Sequence, residues 1–124
     1  MQNPQDCDLC LPASVLLENR LAYAQSEKNS LSRGHVVVVP RRHVADFFEM
    51  THLEQIAVVE LLNRAHELIQ SQNSPDGYNI GVNVGVAAGQ SRMHVHVHLI
   101  PRYAGDVANP AGGVRCVLPA DRAA

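Results

Sequence analysis

The run from Met93 to Pro101 constrains the fold of this chain more than any other stretch. Three histidines alternate there with branched apolar residues, in the order His-Val-His-Val-His-Leu. Successive side chains of a β-strand point to opposite faces, so the pattern predicts a strand with His94, His96 and His98 on one face. Adjacent histidines of such a row lie roughly 6 to 7 Å apart, close enough for one bound group to contact all three. Because imidazole is half polar and titrates near neutrality, three rings on a strand face indicate a functional site.

Two chemistries fit such a cluster of imidazoles, and the residues alone leave both open. In the first, two or three rings bind zinc at Zn–N distances of about 2.0 to 2.1 Å and form a hydrolytic metal site. In the second, one ring is a nucleophile that attacks phosphorus, while its neighbours fix its tautomer and hold the phosphate oxygens.

The length, net charge and apolar runs of the chain indicate how many domains it forms and which binding partners it does not have. We expect a single domain over residues 1–124, with an N-terminal segment at 1–13 and a C-terminal tail at 119–124. A net charge of −2 argues against a surface made for sequence-independent binding of nucleic acid. The chain opens without a basic segment and apolar core, and its longest apolar run is too short to cross a bilayer. We therefore expect a cytoplasmic protein with no membrane partner.

Cys7 and Cys10 form a C-x-x-C pair near the N-terminus. In a cytosolic chain this spacing favours metal or redox chemistry over a structural disulfide. No βαβ pattern surrounds the pair, which argues against thioredoxin-like redox chemistry. The pair supplies only half of a zinc ligand set, so its spacing alone leaves metal binding open.

Hydrophobic patterning predicts an α+β domain, with an antiparallel sheet of about five strands and one long and one short helix packed on it. Besides the histidine run, strands are predicted at 14–17, 21–25, 35–39, 78–84 and, as a last short strand, 114–118. Thr51 and Glu54 form a capping box that begins the main helix, which is expected to end at Gln72. The predicted buried stripe of this helix is Leu53, Ile56, Ala57, Leu61, Ala65, Leu68 and Ile69. One or two helical turns within 44–50 are expected to bury Phe47 or Phe48.

The histidine run resembles the His-φ-His-φ-His-φ-φ signature of the histidine triad superfamily, nucleotide hydrolases and transferases that act on α-phosphates. Other segments look like family positions in family order: Gly34-His35, Pro40-Arg41-Arg42-His43, Gly77-Tyr78-Asn79, Asn83, Ala88-Gly89-Gln90-Ser91 and Ile100-Pro101-Arg102-Tyr103. Within the superfamily, the chain looks closest to the bacterial and fragile-histidine-triad-like branch, often diadenosine polyphosphate hydrolases.

The resemblance implies a role for each catalytic histidine. His96 is the expected nucleophile, forming a covalent nucleotidyl-imidazole intermediate that water hydrolyses to a nucleoside monophosphate. His98 is expected to contact the α-phosphate and the leaving group. His94 would orient its neighbours, with His35 bonded behind it.

The resemblance also implies a set of substrate-binding residues. Phosphate oxygens are expected to contact His98, Asn83, Gln90, Ser91 and the N–H groups of the loop that contains Gly89. Glu27 stands where the family places Asp or Asn on the ribose hydroxyls. Arg92 replaces a usually apolar residue and suggests contact with a distal phosphate of a polyphosphate substrate.

The implied activity is hydrolysis of dinucleoside polyphosphates, with an adenine nucleotide as the expected substrate. Two alternatives stay open: hydrolysis of adenosine 5′-phosphoramidates, and a nucleotide-binding interaction module with little catalysis. Bacterial members with an N-terminal C-x-x-C pair look like zinc binders, which implies a Cys₂His₂ structural site of Cys7, Cys10, His43 and His94. The resemblance further implies Mg²⁺ accompanying the substrate, no organic cofactor, and a homodimer.

Overall fold

The computed structural model of the chain describes residues 4–118, so the predicted tail at 119–124 lies outside the described residues. Its main elements are β1 (Val15–Glu18), β2 (Ala22–Ser26), β3 (Val36–Pro40), α1 (His52–Asn73), β4 (Gly77–Gly81) and β5 (Val97–Arg102). The strands form one sheet in the order β1-β2-β3-β5-β4, with every neighbouring pair antiparallel. The predicted α+β class and five-stranded antiparallel sheet are confirmed.

Strand β3 lies at the centre of the sheet because its four consecutive valines suit burial on both faces. Val36 and Val38 pack toward α1, whereas Val37 and Val39 pack toward the N-terminal segment. Within residues 4–118, no helix combines the length and apolar character needed to span a membrane.

The main helix begins as predicted, but its buried face differs from the predicted stripe. The Thr51 side chain accepts a hydrogen bond from the backbone of Glu54, and the Glu54 carboxylate accepts one from the backbone of Thr51. Arg42 then pairs with Glu54 at 2.9 Å, which turns this carboxylate toward the protein. Because Glu54 and Val58 take places on the buried face, Leu53 and Ile56 are 68% and 58% exposed, and the prediction that both are core was wrong.

Of two smaller predictions, one was met in part and one was wrong. The expected helical turn within 44–50 is a single 3₁₀ turn, Phe47–Glu49, in which Phe47 is partly buried against the core and Phe48 is exposed. The expected strand at 114–118 is a 3₁₀ segment, Gly113–Val117, preceded by Gly112 with a φ of 88°. This left-handed residue turns the chain out of an extended path, so the apolar pattern that follows does not join the sheet.

The histidine run joins the sheet later than predicted. β5 begins at Val97, because β3 pairs with it only over residues 97–99. Before that point, the backbone N–H of Val95 donates to the carbonyl of Val44 in a loop, at 2.8 Å. The apolar side chains at 95, 97 and 99 are buried as the alternation predicts.

Candidate active site and adjoining metal cluster

A cavity of about 510 Å³ lies beside β5 and contains two of the three histidines of the run. The residues that line it are Asp8, Glu27, Lys28, Asn29, Leu31, His35, Asn83, Ser91, Arg92, His96, His98 and Ile100. The pocket therefore brings together seven of the predicted site residues, which come from β5 and from the loops next to β2, β3, β4 and β5. His94, Gly89 and Gln90, which were predicted to act here, are absent from this lining.

A chain of hydrogen bonds determines the tautomer of His98. The backbone N–H of Leu31 donates to Nδ1 of His35 at 3.0 Å, so the proton of the neutral His35 ring is on Nε2. His35 Nε2 lies 2.9 Å from His98 Nδ1 and donates to it. The neutral His98 ring consequently carries its proton on Nε2, where it is available as a donor to a bound group.

His96 has the opposite tautomer. Its Nδ1 lies 2.8 Å from the carbonyl oxygen of His94, and a carbonyl oxygen can only accept a hydrogen bond. Nδ1 of His96 therefore carries the proton, and Nε2 keeps its lone pair. The rings of His96 and His98, 5.3 Å apart between centroids, thus supply a nucleophilic nitrogen beside an N–H donor.

Burial keeps these rings uncharged. Desolvation lowers the pKa of His35, His96 and His98 below the ordinary imidazole value. Neighbouring imidazoles lower the pKa of His98 further, while the carboxylate of Glu27 opposes the lowering at all three rings. At neutral pH the pocket therefore presents neutral imidazoles, the form in which a ring nitrogen can attack phosphorus.

The structure corrects two expectations about the histidines. His35 bonds to His98, and does not lie behind His94. His94 is fully buried, and its ring lies beside Cys7 and Cys10, as the implied zinc site requires, instead of in the pocket with the other two rings of the run. The sequence predicted a row of three rings on one ligand, but the chain is not yet in the sheet at residue 94, and the N-terminal segment covers that ring.

The loop before the histidine run differs in part from the expected phosphate cradle. Gln90 is buried: its amide nitrogen donates to the carbonyls of Ala45 and Arg92, and its amide oxygen accepts from Gly85. The backbone N–H of Gly89 donates within the loop. Both residues therefore hold the loop in shape, while the pocket wall is formed by the side chains of Asn83 and Ser91.

Sequence reasoning missed several lining residues, chiefly Asp8. Its carboxylate Oδ2 lies 3.2 Å from Nη1 of Arg92, although the two residues are far apart in the chain. Nη2 of Arg92 lies 3.5 Å from Glu27, whose side chain is only 6% exposed. The sequence showed only that an acidic residue lies between the two cysteines of the C-x-x-C pair, and this does not show which site its side chain faces.

Next to the pocket, a second cluster brings together the four predicted zinc ligands. One ligand atom from each of Cys7, Cys10, His43 and His94 lies within 4.8 Å of all the others. Three S–N distances within the cluster are 3.2 to 3.4 Å, close to the roughly 3.6 Å expected between ligands of a tetrahedral zinc with ordinary Zn–S and Zn–N bonds.

The donor chemistry of the cluster also fits a zinc ion. Nε2 of His94 donates to the carbonyl of Pro40 at 2.7 Å, so its Nδ1 presents a lone pair to the two thiols. Burial, together with the hydrogen bond and charge of Cys7, raises the pKa of the Cys10 thiol to about 11. A cation would stabilise the two thiolates that this environment otherwise disfavours.

The family model of the HIT domain matches residues 9–105 of this chain, which include the histidine run and every lining residue of the pocket except Asp8. The chain belongs to the histidine triad (HIT) family. A solved HIT structure, the Zn-bound histidine triad family protein of Mycobacterium smegmatis, superposes with a TM-score of 0.77 at 25% identity, covering 86% of this chain and 82% of that one.

Two curated relatives carry names that describe an activity. The AP-4-A phosphorylase of Mycobacterium tuberculosis is 36% identical over 93 residues, which cover 74% of this HIT chain and 48% of that protein. The asymmetrical bis(5′-nucleosyl)-tetraphosphatase of Schizosaccharomyces pombe is 33% identical over 94 residues, covering 76% and 52%. The chain therefore spans about half the length of these relatives.

Proposed function

We propose that this HIT protein hydrolyses dinucleoside polyphosphates at the α-phosphate, using Nε2 of His96 as the nucleophile. The observation that carries the proposal is the 2.8 Å hydrogen bond from His96 Nδ1 to the carbonyl of His94, which leaves the lone pair on Nε2. The names of the two curated relatives support the substrate class.

In the proposed first step, Nε2 of His96 donates its lone pair to the α-phosphorus. A P–N bond forms, and the bond from phosphorus to the bridging oxygen breaks, so the remaining nucleotide leaves as a polyphosphate anion. The N–H at Nε2 of His98 donates a hydrogen bond to the oxygens that gain charge. Nδ1 of His96 keeps its bond to the His94 carbonyl, which stabilises the cationic ring of the intermediate.

In the second step, water attacks the same phosphorus and releases a proton to solvent. The P–N bond breaks, its electron pair returns to Nε2 of His96, and a nucleoside monophosphate leaves. Asn83 and Ser91 would hold phosphate oxygens, and Glu27 would face the ribose. Leu31 and Ile100 supply apolar surface in the same pocket against which a base can pack.

We further propose that the cluster of Cys7, Cys10, His43 and His94 binds one structural zinc ion. Four protein ligands complete a tetrahedral site and leave no position for substrate. The ion would fix the N-terminal segment and the ring of His94. It would thereby also hold in place the carbonyl oxygen of His94, which accepts the hydrogen bond from Nδ1 of His96.

A homodimer is the assembly we propose. Leu53, Ile56 and Val59 are 68%, 58% and 55% exposed on one side of α1, which is more apolar surface than a solvated helix face needs. β4 ends the sheet and pairs only with β5 among the described strands. Light scattering of the wild-type chain and of Ile56→Glu tests this: a dimer that becomes monomeric is expected, and a wild-type monomer would contradict it.

The test of the activity is a chromatographic assay with diadenosine tetraphosphate and adenosine 5′-phosphoramidate. We expect turnover of the tetraphosphate with release of AMP, and loss of at least about 10³-fold in kcat for His96→Ala. His52→Ala, which removes an exposed histidine at the start of α1, is the matched control and should keep wild-type activity. A higher kcat/KM for the phosphoramidate would assign the alternative activity, and AMP binding without turnover of either compound would overturn catalysis.

A further inference from the structure

Asp8 lies between the cluster of Cys7, Cys10, His43 and His94 and the substrate pocket. It lies between Cys7 and Cys10 in the chain, yet its carboxylate lines the pocket and pairs with Arg92 at 3.2 Å. The same oxygen lies 3.8 Å from Nζ of Lys28. Asp8, which belongs to the loop that carries Cys7 and Cys10, therefore occupies one edge of the Arg92 guanidinium in the pocket.

We propose that Asp8 is a specificity-determining residue, which competes with the phosphate chain of the substrate for Arg92. This inference rests on the proposed function, because it concerns how the same pocket distinguishes substrates by the number of their phosphates. A guanidinium binds phosphate through two parallel N–H groups, and Asp8 occupies the nitrogen that a distal phosphate would need.

The two carboxylates around Arg92 differ in how easily they can be displaced. Glu27 is 6% exposed and approaches Nη2, so it remains as a fixed partner. Asp8 is 44% exposed, and an ion pair so open to solvent is weak. A phosphate can therefore replace Asp8 on Nη1, while Glu27 keeps the guanidinium in the pocket.

The position of Asp8 is set by its neighbours in the chain. Cys7 and Leu9 are both buried, and the hydroxyl of Tyr23 donates to the carbonyl of Leu9. The backbone N–H of Cys10 donates to the carbonyl of Cys7 at 3.2 Å and closes the turn. The backbone of Asp8 is thus held at the pocket when a phosphate replaces the carboxylate on Nη1, so the negative charge of Asp8 remains nearby and opposes each additional phosphate.

The charges of the pocket favour the same interpretation. Two carboxylates, Asp8 and Glu27, face two cations, Lys28 and Arg92, in its lining. Removing the negative charge of Asp8 leaves two cations and one carboxylate in the lining, an excess of one positive charge. This excess strengthens binding of a long phosphate chain more than binding of AMP, which reaches the histidines with its single phosphate.

The experiment is calorimetric titration of the full chain with AMP and with a non-hydrolysable methylene analogue of diadenosine tetraphosphate. For Asp8→Asn, we expect the Kd of the analogue to fall about three- to fivefold, the size of a partly exposed ion pair. The Kd of AMP should change less than twofold. Asp6→Asn makes the same charge change on the same segment outside the pocket lining and should leave both values unchanged.

A double-mutant cycle with Arg92→Met assigns the effect to the pair. In that background, Asp8→Asn should no longer alter the Kd of the analogue, and the single Asp8→Asn effect should shrink at high salt. A Kd that rises or stays constant in Asp8→Asn, an equal change for AMP, or an effect that persists without Arg92 would overturn the proposal. Binding is measured without turnover, so a wild-type chain that binds the analogue but hydrolyses no dinucleotide would reject the proposed function alone.

Discussion

Nε2 of His35 donates a hydrogen bond to Nδ1 of His98 at 2.9 Å, and this bond sets which nitrogen of His98 carries the proton. His35 can donate there because its other nitrogen accepts from the backbone of Leu31. The bond thus orients a neutral N–H toward the place where the leaving group would gain charge. His35 is 3% exposed, and both of its ring nitrogens bond to protein groups, so its role is positioning.

Replacement of His35 by alanine should lower kcat by about 10²-fold, because His98 loses the donor that selects its tautomer. KM should change much less, since no substrate contact is removed. His35→Gln retains an amide N–H and is expected to recover part of kcat. Steady-state kinetics of both variants check this, and a pure KM effect, or equal losses for alanine and glutamine, would argue against tautomer control.

The stability of the protein should fall as the pH drops below about 6.5. Desolvation lowers the pKa of His35 and His98 in the folded chain, so between the folded and unfolded pKa values the unfolded chain binds more protons. The free energy of unfolding then decreases toward acid pH, by at most about 1.4 kcal/mol per pH unit for each histidine. Urea denaturation at pH 7.5, 6.5 and 5.5 measures the slope, which His35→Gln should reduce; an unchanged or steeper slope would contradict the assignment.

Zinc binding by the cysteine cluster predicts about one zinc ion per chain by elemental analysis, and its loss in Cys7→Ser. Cys7 is buried, so the serine hydroxyl alone should lower the free energy of unfolding by about 1 to 3 kcal/mol, with a further decrease from the lost ion. Cys116→Ser, in the 3₁₀ segment far along the chain, is the matched control and should retain the metal. Zinc content that does not differ between the two variants would reject the ligand set.

Gly34→Ala should destabilise the fold by about 2 to 3 kcal/mol. Gly34 has a φ of 89°, and an added Cβ would lie 3.0 Å from side-chain atoms of Asn73 and Ile69. Gly77→Ala is the control, because nothing lies within 4 Å of its Cβ position and it begins the edge strand. The difference between the two midpoints of urea denaturation checks this, and similar midpoints would show that the turn before His35 tolerates a side chain.

Local patterns in the sequence were sufficient for most of the fold. The capping box at Thr51, the valine run of β3 and the apolar alternation at 95, 97 and 99 each depend on neighbours within a few residues, and the structure contains all three. The buried face of α1 was less predictable, because the ion pair between Arg42 and Glu54 joins the helix to a loop outside it.

The sequence by itself determined that an extended, histidine-bearing segment would bury its apolar side chains, because alternation is a property of the local backbone. The local pattern alone did not decide how the three histidines are divided between two sites: the family resemblance implied that His94 joins the cysteines, and the tertiary structure brings them together. His94 meets Cys7 and Cys10, and His98 meets His35, through contacts between residues at least 63 positions apart. The partners of the His94 and His98 rings depend on how distant segments pack, and this packing decides which nitrogen of each of these two rings carries a proton and which keeps a lone pair.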